Sequence, residues 1–95
     1  MGEVEIVYFI SLVKFKGMPT RDAIAANLKR MAAEEKTGIR YHSIYWTLGP
    51  YDAILTFEAP DEKAAMASSI HRRDYFEAHT LVAIPAEEAR QLVEM

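Results

Sequence analysis

Residues 40–58 read RYHSIYWTLGPYDAILTFE, and this stretch decides the fold. Two runs rich in β-branched and aromatic residues flank Gly49-Pro50, a pattern typical of a β-hairpin. We therefore predict strands over Arg40 to Leu48 and Tyr51 to Glu58, in the register that pairs Trp46 with Ala53. That register gives an apolar face made of His42, Ile44, Trp46, Ala53, Leu55 and Phe57, and a mixed face made of Tyr41, Ser43, Tyr45, Thr47, Asp52, Ile54, Thr56 and Glu58.

The chain on either side of the hairpin predicts one strand and one helix each. Before it, a strand from about Val4 to Phe15 is apolar on both faces, so we expect it to be central. Thr20 is suited to cap the helix that follows, and Gly38 to end it. After the hairpin, Ala59-Pro60-Asp61-Glu62 opens a helix with proline at its first position, and a strand runs from about Tyr75 to Ile84.

The predicted order is βαββαβ, with a short amphipathic helix after Pro85 through Leu92 and Val93. Right-handed crossovers then give a ferredoxin-like α+β sandwich, in which both helices cover one face of an antiparallel four-stranded sheet. A chain of 95 residues fits a single domain over residues 1–95.

Composition narrows the class of protein further. The hydrophobic fraction of 51% is that of a globular chain and excludes disorder, and the absence of cysteine excludes disulfides and thiolate metal sites. The net charge of −3 disfavours nucleic acid as a partner. The apolar stretch from Val4 to Val13 is too short to span a bilayer, and Glu3 and Glu5 do not suit a secretory signal. We expect a cytoplasmic protein without a membrane partner.

The uncovered face of the sheet predicts self-association. The apolar helix positions can cover one side, with Trp46 in the core beneath them; these positions are Ile24, Leu28, Met31, Met66 and Ile70. The other side carries Tyr41, Tyr45, Thr47, Asp52 and Ile54 together with one apolar face of the first strand. Because such a patch is uncommon on a monomer, we expect a homodimer or higher homo-oligomer. The alternative is a monomer with this face wetted by its polar residues.

The turn region holds the candidate functional residues. Asp52 would act as a base or polar anchor at the mouth of a barrel, or would fix the hairpin by accepting backbone hydrogen bonds. Tyr41 and Tyr45 would offer hydroxyls to a ligand on the outward face, or would pack in an interface. With Thr47 and Tyr51, these residues form the predicted ligand-binding set.

The histidines and the basic cluster give weaker signals. His42 and His79 fall on the two edge strands, and their spacing supports no metal site. His79 is the better candidate for an acid–base group or a haem ligand, although we predict no cofactor. His71-Arg72-Arg73 could hold an anionic ligand, or could simply be the cationic end of a helix.

The turn motif also carries a family resemblance. Leu48-Gly49-Pro50-Tyr51-Asp52, preceded by Tyr45-Trp46, resembles the pattern of the GYD-domain family, as do Glu58-Ala59-Pro60-Asp61 and Thr80-Leu81-Val82-Ala83. His71-Arg72-Arg73-Asp74 departs from that pattern, which has small residues and glycine in this turn. The resemblance implies a dimeric α+β barrel fold in a small bacterial or archaeal protein, and it implies no activity.

Three functional hypotheses follow. The leading one is a homo-oligomeric barrel that binds a small, partly apolar molecule between sheet and helices or at the dimer cleft. The second is a cofactor-independent monooxygenase or isomerase that uses Asp52, Tyr45 and His79 as acid–base groups. The third is a structural assembly module.

Overall fold

The structure, a computed structural model, describes residues 5–95. Along the chain the elements are β1 (Val7–Phe15), α1 (Arg21–Glu35), β2 (Arg40–Trp46), β3 (Ala53–Ala59), α2 (Glu62–Ile70), β4 (Phe76–Ala83) and α3 (Ala86–Val93). In this part of the chain the strands form one antiparallel sheet of order β2-β3-β1-β4. The predicted ferredoxin-like fold with a C-terminal helix is confirmed, with β1 in a central position. Val4, where we expected β1 to begin, lies outside the described residues.

Side chains placed before each helix start α1 and α2. The Thr20 hydroxyl accepts a hydrogen bond from the Ala23 N–H at 3.0 Å, which confirms the predicted cap of α1. The Asp61 carboxylate accepts one from the Ala64 N–H at 2.8 Å, so Asp61 caps α2. The prediction that Pro60 is the first helical residue was wrong, because Pro60 precedes the capping residue.

The β2–β3 hairpin follows the predicted register only over part of its length. Trp46 pairs with Ala53 and Ser43 with Thr56, as predicted. A β-bulge between Tyr41 and Ser43 then shifts the pairing by one residue, so Tyr41 lies opposite Phe57. The shift moves Tyr41 onto the face that carries the helices and turns His42 to the other face, so the predicted faces of these two residues were wrong.

The hydrophobic core lies under α2. It contains Phe9, Ile39, Phe57, Ala59 and Ala65, and the rings of Phe9 and Phe57 stack with their centroids 5.2 Å apart. Helix α2 buries Ala65 and Ser68. The predicted contact residues Met66 and Ile70 are instead 62% and 51% exposed, because the small side chains of α2 face the sheet.

Helix α1 lies over the same face of the sheet but buries none of its residues. Ile24 and Leu28, which we expected to cover the sheet, are 39% and 59% exposed. Trp46 is 61% exposed, so its predicted place in the core was wrong. The prediction assumed that the apolar positions of both helices cover the sheet, whereas a cavity lies between α1 and the sheet. Between residues 5 and 95 no helix combines the length and apolar character needed to cross a membrane.

Candidate functional site

A cavity separates α1 from the sheet. We call it the helix–sheet cavity; its volume is about 560 Å³, within the roughly 300–1,000 Å³ of small-molecule sites. Its lining is largely apolar and comes from the helix-side face of the sheet and from α1, including Val13, Phe15, Leu28, Met31, Trp46 and Leu55. The Phe15 and Trp46 rings meet edge to face with centroids 5.1 Å apart, so they form one aromatic wall.

A polar cluster closes one end of this cavity. We call it the Arg72 network; its members are Asn27, Glu34, Tyr41, Ser68 and Arg72. The Arg72 guanidinium donates two hydrogen bonds to the Glu34 carboxylate, at 2.9 Å from Nη1 and 2.6 Å from Nη2. Its Nε donates to the Asn27 side-chain oxygen at 2.7 Å, and Nη1 also donates to the Ser68 hydroxyl at 2.6 Å. The Tyr41 hydroxyl donates to Glu34 Oε1 at 2.7 Å.

Sequence spacing explains why these side chains converge. Asn27 and Glu34 are seven residues apart on α1, which places them on one side of the helix two turns apart. Ser68 and Arg72 are four residues apart at the end of α2, and the Arg72 Nη1 also donates to the Ser68 carbonyl at 3.0 Å. The bulge in β2 places Tyr41 on the helix side of the sheet, where it joins the network. The network therefore connects α1, α2 and β2.

Burial and charge shift the pKa values within the network. Burial alone raises the pKa of the Glu34 carboxyl, but hydrogen bonds from Arg72, Tyr41 and Ser68 and the charge of Arg72 outweigh it and hold that pKa below its usual value of 4.5. Burial, aided by the neighbouring Glu34 carboxylate, raises the pKa of Tyr41 to about 12. At neutral pH, Glu34 is therefore an anion and Tyr41 a neutral hydrogen-bond donor.

The predicted site residues do not gather in this cavity. Tyr41 lines it, whereas Tyr45 is 66% exposed on the opposite face of the sheet. His79, on β4, also lies on that opposite face, where it pairs with Leu12 of β1. Since β2 and β4 are the two edges of the sheet, Tyr45 and His79 are separated by three strand spacings, about 14 Å. The structure therefore does not bring the proposed acid–base group of Asp52, Tyr45 and His79 together within one protomer.

Contacts with the backbone hold the turn motif. The Asp52 carboxylate accepts a hydrogen bond from the Phe15 N–H at 2.8 Å, and the Asp52 N–H donates to the Val13 carbonyl at 2.8 Å. The Thr47 hydroxyl donates to the Tyr51 carbonyl at 2.7 Å. Gly49 has a φ of 98°, which favours glycine. These contacts tie the start of β3 to the end of β1.

Tyr51 and the histidines lie outside the helix–sheet cavity. The Tyr51 ring approaches His79 edge to face, with centroids 6.2 Å apart. His42 Nε2 lies 3.4 Å from Glu58 Oε1, and its ring is 6.4 Å from that of Tyr8. His71 is exposed beyond α2. Among the residues that the structure describes, no three His, Asp or Glu side chains converge in a way that could hold a metal ion.

Sequence reasoning missed most of the Arg72 network. Arg72 was interpreted with His71 and Arg73 as an anion holder or a helix end, yet its side chain is only 14% exposed and bound to Glu34. Asn27 and Glu34 were not singled out. One signal was available: a polar residue and an acid seven positions apart, on the helix side that also carries Ile24 and Met31.

Several solved structures are similar to this chain at low sequence identity. LrpC from B. subtilis matches with a TM-score of 0.59 and 17% identity over 82% of this chain and 50% of LrpC, so this chain spans half of that protein. SnoaB, a cofactor-independent oxygenase from Streptomyces nogalater, matches with a TM-score of 0.49 and 11% identity over 83% of this chain and 91% of SnoaB. A dabb family protein with a ferredoxin-like fold from Mesorhizobium loti matches with a TM-score of 0.45 and 14% identity over 84% and 96%. No functional conclusion follows from these three similarities.

Family membership rests on the sequence. No curated protein matches this chain. The GYD domain matches residues 11–93, a range that holds β2, β3, both helices of the cavity and the turn motif from Leu48 to Asp52. This match covers most of the chain and confirms the resemblance seen in the turn. The chain belongs to the GYD domain family.

Proposed function

We propose that this protein binds a small, partly apolar molecule in the helix–sheet cavity. The observation that carries the proposal is a largely apolar space of about 560 Å³ with a network of hydrogen-bonding side chains at one end. Ligand sites in proteins combine these two features, because apolar walls supply affinity and a few polar groups fix the orientation.

The packing of α1 supports the same proposal. Leu28 is 59% exposed and Trp46 is 61% exposed, although both line the cavity. Apolar side chains left open to water lose the free energy that burial would supply, about 25 cal/mol per Å². A ligand with an apolar body would cover both side chains and recover part of that free energy.

Trp46 provides a direct assay, because it is the one tryptophan of the chain and lines the cavity. We expect the neutral fluorophore N-phenyl-1-naphthylamine to bind saturably and to accept excitation energy from Trp46. Ala26→Phe should weaken this binding at least about tenfold by filling the cavity, since Ala26 lines it. Ala25→Phe is the matched control, because Ala25 is an exposed neighbour that does not line the cavity.

Two results would contradict the proposal: energy transfer that does not saturate, or equal weakening by the two variants. Native mass spectrometry of freshly purified protein adds an independent test, because it detects any small molecule that co-purifies. A purely structural assembly module would bind no probe at this site.

We also propose that the outer face, the side of the sheet opposite the helices, binds a second copy of this chain. Its centre is apolar, with Ile10 beside Leu81, and Leu12 beside Ile54. Charges of both signs flank that centre, with Lys14 opposite Glu77 at one end and Arg40 opposite Glu58 at the other. A face with an apolar centre and mixed charges at its rim can pair with itself about a twofold axis.

Light scattering coupled to size exclusion tests this second proposal. The wild-type protein should elute as a species of twice 10.8 kDa or more at micromolar concentration. Leu81→Arg, at a residue that is 51% exposed on the outer face, should shift the population towards monomer. Leu92→Arg is the matched control on α3, where Leu92 is 56% exposed. A wild-type monomer, or equal effects of the two variants, would overturn the proposal.

The alternative of a cofactor-independent monooxygenase or isomerase gains no specific support from the geometry. Within one protomer Tyr45 and His79 lie at opposite edges of the sheet, and the Asp52 carboxylate is bound to the Phe15 N–H. A general base must reach the proton that it abstracts, and within one protomer Tyr45 and His79 lie three strand spacings apart, too far for both to act on the same proton.

A further inference from the structure

The charged residues that line the helix–sheet cavity fall into two groups. Lys16, Arg30 and Asp74 are exposed, so water screens their charges at the rim. Arg72 is the charged lining residue that is largely buried, with 14% of its side chain exposed. Among the described residues, the charge inside the cavity is therefore decided by Arg72 and its partners.

Glu34 neutralises Arg72. Two hydrogen bonds at 2.9 and 2.6 Å join the guanidinium to the carboxylate, while the Nε of Arg72 is committed to Asn27. Arg72 lines the cavity, whereas Glu34 itself does not. A ligand carboxylate entering here would meet a cation whose charge is already compensated, and would bring a second negative charge close to Glu34.

Neutral hydrogen-bonding groups are available at the same end. The Asn27 side-chain nitrogen donates to the Met31 sulfur at 3.6 Å, and a thioether is a weak acceptor. A carbonyl oxygen would accept a stronger bond from that nitrogen, and Asn27 lines the cavity. Tyr41 and Ser68 line the same end.

We propose that the helix–sheet cavity accepts neutral molecules with an apolar, ring-sized body and a carbonyl-type acceptor, and discriminates against the corresponding carboxylates. Glu34 is the specificity-determining residue, because it cancels the positive charge that would attract an anion. This inference rests on the proposed binding function and adds the chemical class of the ligand. A carboxylate placed in a partly buried site loses its hydration without gaining an uncompensated cation, whereas a ketone oxygen needs only one hydrogen-bond donor.

A pair of probes of nearly equal shape tests the proposal: 2-acetylnaphthalene, a neutral ketone, and 2-naphthoate, its carboxylate counterpart. Equilibrium dialysis at neutral pH should show the ketone binding at least about tenfold more tightly to the wild-type protein. Glu34→Gln leaves Arg72 uncompensated, so naphthoate should bind at least about tenfold more tightly than to the wild type while ketone binding changes little. Glu35→Gln is the matched control, because Glu35 is an exposed neighbour outside the Arg72 network and should leave both affinities unchanged.

The outcomes separate this inference from the proposed function. If the wild type binds neither naphthalene probe nor N-phenyl-1-naphthylamine, the binding function itself fails. If both naphthalene probes bind with equal affinity, if naphthoate binds more tightly, or if folded Glu34→Gln leaves the ratio unchanged, the charge selectivity fails and the binding function stands.

Should circular dichroism show that Glu34→Gln is unfolded, the double variant Glu34→Leu/Arg72→Met removes both charges. That variant must still prefer the ketone, and a preference for naphthoate would overturn the proposal.

Discussion

Helices α1 and α2 lie over the same face of one sheet but attach to it in different ways. Helix α2 buries Ala65 against Phe9 and Phe57, so its attachment is apolar. Helix α1 buries none of its residues, and the hydrogen bonds of Glu34 and Asn27 to Arg72 join it to α2. The contrast shows that an apolar stripe on a helix does not by itself produce packing. The cavity of about 560 Å³ lies on the side of α1, the helix that buries no residue.

The largest expected effect separates the two attachments directly. Phe57→Ala removes a core ring under α2 and should lower the free energy of unfolding by about 3–5 kcal/mol. Leu28→Ala on α1 should cost less than about 0.5 kcal/mol, because Leu28 is 59% exposed. Urea denaturation of both variants measures the difference. Similar losses would mean that α1 is packed as firmly as α2.

Breaking the ionic attachment of α1 should have the next largest effect. Glu34→Leu leaves the Arg72 guanidinium without its carboxylate and should lower the free energy of unfolding by about 3 kcal/mol. Glu35→Leu, at an exposed position, controls for the loss of an acid on α1. The double variant Glu34→Leu/Arg72→Met should recover most of the loss, since it leaves no uncompensated charge. A single variant no less stable than its control would contradict the role given to the ion pair.

Alkaline pH should weaken the same network through Tyr41. The pKa of Tyr41 rises from its usual 10.0 to about 12 in the folded protein, so between these values the folded state keeps a proton that the unfolded state releases. This contribution is fully present below pH 10 and is lost as the pH rises through 12, and it amounts to roughly 2–3 kcal/mol. Urea denaturation of the wild type and of Tyr41→Phe across this range isolates it. Parallel curves for the two proteins would show that Tyr41 does not contribute.

The smallest expected effect concerns the hairpin rather than the helices. Asp52→Asn keeps an oxygen that can accept from the Phe15 N–H but removes its charge, so we expect a loss of about 1 kcal/mol. Probe affinity should be unchanged, because Asp52 does not line the cavity. A folded variant that loses probe binding would instead assign a ligand role to the carboxylate, as one of the initial hypotheses does.

The sequence allowed the fold to be predicted further than the site. The Gly49-Pro50 turn and apolar alternation were sufficient to predict the register from Ser43 to Trp46, and the element order with right-handed crossovers was sufficient to predict the sheet topology. The bulge at His42 could not be predicted, because the two possible registers differ by one residue and both leave plausible pairs. The Arg72 network was also out of reach, since its bonds from Arg72 to Glu34 and Asn27 join residues 38 and 45 positions apart.

The bulge in β2 has a consequence for comparing this chain with its relatives. His42 is the extra residue opposite Thr56 and Phe57, so a homologous chain that lacks it can pair Tyr41 with Phe57 without any irregularity. An alignment gap at this position would therefore change no side chain on the helix side, where the Tyr41 hydroxyl donates a hydrogen bond to Glu34. It would remove only an imidazole from the far side, beside Glu58. A gap placed one position earlier would instead remove Tyr41 and its phenol, although the two alignments differ by a single column.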